Sequence, residues 1–131
     1  MPQAANIVVN NAAAVSKTFT LLNPSAGLNS EARWALKEGS NASVFPRLSA
    51  VLRADSSVKG TAGVFKISMP QSYTDTTTGL VKRGSSAELV ITNKIPDDWP
   101  ESLKADWKAF VKNIVAEATV QSFLEGGSAF T

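Results

Sequence analysis

Apolar residues recur at every second position through much of the first 93 residues, and at steps of three and four after Trp99. A two-residue period marks half-buried strands and a 3.6-residue period an amphipathic helix. Residues 5–10 (ANIVVN) are a short β-branched run. Residues 15–22 (VSKTFTLL) put Val15, Lys17, Phe19 and Leu21 on one side, with Ser16, Thr18, Thr20 and Leu22 on the other. With a turn at 10–14 between them, the two runs predict a β-hairpin. Asn23-Pro24-Ser25-Ala26-Gly27 breaks the pattern. Residues 30–38 are read as a strand rather than a helix because the run is short and stops at Gly39. Ala32, Trp34 and Leu36 then oppose Glu31, Arg33, Ala35 and Lys37. Residues 44–53 set Leu48, Ala50 and Leu52 against Arg47, Ser49, Val51 and Arg53. Residues 61–69 set Phe65, Ile67 and Met69 against Val64, Lys66 and Ser68, with Pro70 as the stop. Residues 85–93 set Ala87, Leu89 and Ile91 against Ser86, Glu88, Val90 and Thr92. Between the last two runs, residues 71–84 are expected to form the longest loop, with Tyr73 in it; so long a loop in a small domain is usually functional or mobile.

Beyond Trp99, Leu103, Trp107, Phe110, Val111, Ile114, Val115 and Ala118 follow helical spacing. Asp98 and Glu101 have the spacing of a capping box, and Pro100 suits a first turn. A break at Thr119-Val120 divides off a second short helix, ended by Gly126-Gly127. Strands followed by helices predict an α+β fold: an N-terminal β-hairpin, a five-stranded antiparallel sheet and two C-terminal helices. The expected organisation is a single domain over 1–131, with the hairpin region at 1–22, the sheet at 30–95 and the helices at 98–125. One amphipathic helix covers such a sheet poorly, so exposed apolar area and open edges call for a partner, most simply a second copy.

Composition narrows the chemistry. The 131 residues include no His and no Cys. The default acid–base catalyst and commonest metal ligand is therefore missing, as are thiol catalysis, disulfides and thiolate metal sites. No catalytic constellation or glycine-rich phosphate loop replaces them, so neither an enzyme nor a cofactor is expected. Residues 1–16 lack the basic start of a secretory signal, and no apolar run reaches the ~18–20 residues of a membrane span; a soluble chain is expected. The net charge of +2 hides a division. Residues 41–95 carry seven basic and three acidic side chains, whereas residues 96–131 carry three basic and six acidic. A basic sheet face suits a phosphate backbone.

Residues 48–53 (LSAVLR) and 63–70 (GVFKISMP) resemble the two central strands of the coat proteins of single-stranded RNA bacteriophages, the levivirus family. Residues 107–116 (WKAFVKNIVA) resemble that family's first helix. The resemblance runs from about residue 15 to 126 and rests on the ensemble rather than on one motif. It implies an obligate homodimer whose sheets join, helices packed across the partner, and an icosahedral shell around genomic RNA. The protein would be made in the bacterial host cytoplasm and reside in the virion, with no membrane. The inward sheet face would bind an RNA hairpin and so repress replicase translation. On this reading Arg47, Ser49, Val51 and Arg53 face inward from one strand, Val64, Lys66 and Ser68 from the next, and Ser86 and Glu88 from the last. Lys66 falls where the family commonly carries a phosphate-contacting lysine. The last strand lacks the aromatic that would stack on an unpaired base. Residues 70–84 resemble the loop that gathers at symmetry axes, which without cysteine cannot be crosslinked.

Plainer roles stand beside these. Lys66, Arg47 and Arg53 would also serve simply to solubilise a sheet face. Ser49 and Ser68 suit any polar face, and Lys82-Arg83 either touches RNA or only flanks a loop. Trp34, Trp99 and Trp107 are expected in packing, and Asp97 and Asp98 as cap and dipole partners. The alternative function is a non-viral dimeric module that binds RNA or protein through an open sheet.

Overall fold

The computed structural model describes residues 4–39 and 41–126. It comprises two compact units, Met1–Pro96 and Asp97–Thr131.

The first unit is one antiparallel sheet of six strands in sequential order: β1 (Ile7–Asn10), β2 (Ser16–Asn23), β3 (Ala32–Ala35), β4 (Arg47–Asp55), β5 (Gly60–Thr74) and β6 (Val81–Pro96). The hairpin is therefore not separate from a five-stranded sheet, because its second strand pairs with β3. The hairpin turn is built by Asn11, whose Oδ1 accepts from the amides of Ala13 and Val15. Apolar alternation in β2–β5 places the core on one face. Phe19, Ala32, Trp34 and Leu48 are buried, with Ile7, Leu21, Leu36, Ala50, Phe65 and Ile67 against them. Trp34 joins in as expected, and its Nε1–H donates to the Ala5 carbonyl at 2.8 Å, so the indole leaves no polar group unsatisfied.

Several expectations change. Residues 44–46 are not strand. A 3-10 turn spans Ala42–Val44, and β4 begins after Pro46. Pro70 does not end β5, which continues to Thr74. The β4 partner stops at Ser68, so Pro70 has only the β6 ladder beside it, and a register irregularity follows at once. The long loop predicted at 71–84 shrinks to a tip at 75–80, with Tyr73 paired to Lys82 inside the ladder. That tip is held by Asp75. Its Oδ1 accepts from the Thr77 amide at 2.8 Å, and its Oδ2 lies 2.7 Å from Lys82 Nζ. These contacts, the Lys82 ammonium first, hold its carboxyl below the usual range.

The second unit contains α1 (Glu101–Ala116) and α2 (Ala118–Leu124). The Asp98–Glu101 capping box does not form. Pro100 is the N-cap, without a side-chain cap bond, because a proline disfavours helical backbone at the residue before it. The break falls at Glu117, not at Thr119-Val120; its extended backbone ends α1 and its carboxylate accepts from the amides of Thr119 and Val120. Trp99 and Trp107 meet edge to face with ring centroids 5.8 Å apart. Gly126 ends the described segment in left-handed backbone; Gly127 lies outside the described residues. No helix among the described residues is long and apolar enough to cross a membrane.

Candidate nucleic-acid interface

Side chains alternate across a strand, so a face can be read from the register alone. Arg33, Ser49, Lys66 and Val90 are neighbours across β3, β4, β5 and β6. The next row holds Ala35, Arg47, Ser68 and Glu88. On the other side of the Lys66 row lie Val51, Val64 and Thr92, then Arg53, Ala62 and Lys94. Ser86 lies beside Pro70, two positions along from Ser68. The backbone thus carries Arg47, Ser49, Arg53, Val64, Lys66, Ser68, Ser86 and Glu88 on one face, opposite Trp34, Leu48 and Phe65. Leu22, Glu31 and Arg33 complete an open depression of about 290 Å³ whose wall also includes Arg47, Ser49, Lys66, Ser68 and Glu88.

The charges on this face are sorted. Arg33 Nε meets Glu31 at 2.8 Å, Lys66 Nζ lies 3.8 Å from Glu88, and Lys94 Nζ lies 3.2 Å from Asp55. Asp55 Oδ1 also accepts from the Ser57 hydroxyl and amide. Together with Lys94 these bonds hold the Asp55 carboxyl below its ordinary range, the Ser57 hydroxyl contributing most. Arg47 bonds instead to the Ala42 carbonyl at 2.9 Å. Among the described residues neither Arg47 nor Arg53 has a carboxylate within 4 Å. Three cations are thus locally compensated while two arginines keep their full charge toward solvent.

The sequence reading set Arg33 opposite Trp34 and Leu22 opposite Leu21 but named neither, nor Lys94, among the site residues. Arg33 was assignable from its opposition to Trp34. Lys94 was missed because the last strand was ended at Asn93, whereas β6 runs to Pro96. Lys82 and Arg83 separate. Lys82 is tied to Asp75, and Arg83 Nη2 donates to the Ser86 hydroxyl at 2.6 Å. Among the described residues no group of three or more His, Cys, Asp or Glu side chains is arranged to hold a metal ion.

No protein-family model matches the sequence, and no curated protein matches it. Solved structures do. The virus-like particle subunit of Beihai levi-like virus 21 matches with a TM-score of 0.84 at 18% identity, over 99% of this chain and 99% of that one. The subunit of the virus-like particle of bacteriophage NT-214 gives 0.80 at 18% identity, over 98% and 100%. The capsid protein of bacteriophage GA gives 0.72 at 16% identity, over 97% and 98%. The chain has the fold of RNA bacteriophage coat proteins, matched from end to end; at these identities the likeness is one of fold.

Proposed function

We propose that the protein is the coat protein of a single-stranded RNA bacteriophage, acting as a structural subunit and RNA binder rather than an enzyme. The observation that carries this reading is the end-to-end fold match to particle-forming subunits. The chain's own surface supports it. Leu52, Met69 and Ile91, on the same side of the sheet as the core, remain 46%, 64% and 38% exposed. β6 is a 16-residue edge strand with one neighbour. In α1, Leu103, Trp107, Phe110, Val111, Ile114 and Val115 are all exposed. Exposed apolar residues in both units and an open edge are what a second copy would cover. On this reading two subunits join their sheets into an obligate homodimer, and dimers close an icosahedral shell located in the virion.

The polar face, with Lys66, Arg47, Ser49, Arg53, Val64, Ser68, Ser86 and Glu88, then lines the interior and binds single-stranded genomic RNA at a hairpin. The same binding would repress replicase translation. Recombinant protein examined by electron microscopy should form uniform shells with an elevated 260/280 nm absorbance ratio. A stable dimer with no larger species at any salt or protein concentration would favour the non-viral module instead.

A further inference from the structure

Arg83 and Ser86 are three positions apart, and in a regular strand residues three apart point to opposite faces. Here they meet. Pro70 pairs with Ser86 and Ser72 pairs with Arg83, so a single residue of β5, Gln71, opposes two of β6, Gly84 and Ser85. The extra residue is a β-bulge, which re-aims the side chains beyond it. Ser72 lies on the same side of β5 as Ser68 and Lys66, and its partner Arg83 therefore joins the polar face. The bulge is tightly fitted: a Cβ on Gly84 would come within 3.3 Å of Gln71 Oε1 and 3.4 Å of the Gln71 carbonyl oxygen. Lys82, one residue away, pairs with Tyr73 on the other side and is occupied by Asp75.

The partner given to Arg83 is informative. A neutral hydroxyl, Ser86 Oγ, fixes its guanidinium at 2.6 Å without cancelling its charge. Among the described residues no carboxylate lies within 4 Å of it, whereas Lys66 and Lys94 on the same face each have one. A held, uncompensated guanidinium suits a phosphate, which it can meet with two parallel hydrogen bonds. We infer that Arg83 is a further phosphate-contacting residue of the RNA face, brought there by the bulge. This inference rests on the RNA-binding reading above.

The test is a salt series of binding affinity, measured by fluorescence anisotropy with labelled transfer RNA as the probe, since phosphate contacts are sequence-independent. Each lost phosphate contact lowers the slope of log affinity against log salt by about 0.7–0.9. Arg83→Gln should lose about that much and Lys82→Gln should lose none, with circular dichroism confirming that both remain folded. If wild-type protein binds and Arg83→Gln keeps its slope, Arg83 is not a contact, whatever the fate of the wider reading. Equal losses from both variants would also overturn the inference, because they would reflect net charge and not the face. Wild-type protein that fails to bind would remove the RNA reading, and this inference with it.

Discussion

Lys66 and Glu88 come within 3.8 Å on neighbouring strands with both side chains about half exposed, at 52% and 54%. An ion pair so open contributes little, roughly 0.2–1 kcal/mol, so a phosphate can displace the carboxylate. On the proposed reading Glu88 competes with RNA for Lys66. Glu88→Gln is predicted to raise RNA affinity about two- to fivefold, and Lys66→Ala to lower it with a salt slope smaller by about one; a filter-binding salt series checks both. Weaker binding by Glu88→Gln would mean that the carboxylate itself contacts the ligand. In the core, Trp34 is 8% exposed and hydrogen-bonded through its indole. Trp34→Ala should cost about 3–5 kcal/mol in urea denaturation, and a loss under 1 kcal/mol would show that the core lies elsewhere.

The elements that were legible in the sequence are those with one buried face. In residues 47–53 and 64–68 the alternation follows from Leu48, Phe65 and Ile67 having a core to enter, which also identified most of the opposite face. The outer half of the β5–β6 ribbon had no such signature. Gln71, Ser72, Tyr73, Lys82 and Arg83 are exposed on either side of it, so no hydrophobic period exists to be read and a ladder looked like a loop. For Lys82-Arg83 the sequence left open whether the pair touches RNA or only flanks a loop, and it could not say which side Arg83 takes, since counting alternate positions cannot see an inserted residue. The tip of the ribbon carries a pH prediction. Asp75 has its carboxyl lowered in the folded turn, so its charged form stabilises that turn. The contribution is complete above the ordinary value near 3.8 and is lost as pH falls through the lower folded value. The Thr77 amide resonance, followed by NMR, should therefore titrate with a midpoint below 3.8 in the wild type and not at all in Asp75→Asn. A wild-type midpoint at or above that value would mean that the carboxylate does not hold the tip.

At the scale of the whole molecule, two kinds of surface remain open: exposed apolar residues in each unit, Met69 and Ile91 in the sheet and Trp107 and Phe110 in α1, and a polar sheet face that retains uncompensated arginines. On the proposed reading the first kind serves assembly and the second meets RNA. Trp107 is 41% and Phe110 61% exposed in the single chain, so truncating either should act mainly through association. Trp107→Ala and Phe110→Ala are each predicted to abolish the folded dimer in sedimentation velocity, as loss of an interface anchor of about 2 kcal/mol or more would do. Unaltered dimers from both would mean that α1 is not part of the interface. The most direct test of the account is an electron cryomicroscopy reconstruction of particles purified with their RNA. It should show a closed shell with Arg47, Arg53 and Lys66 facing the interior and nucleic-acid density against that face. A shell with α1 lining the interior, or with RNA density away from the sheet, would contradict it.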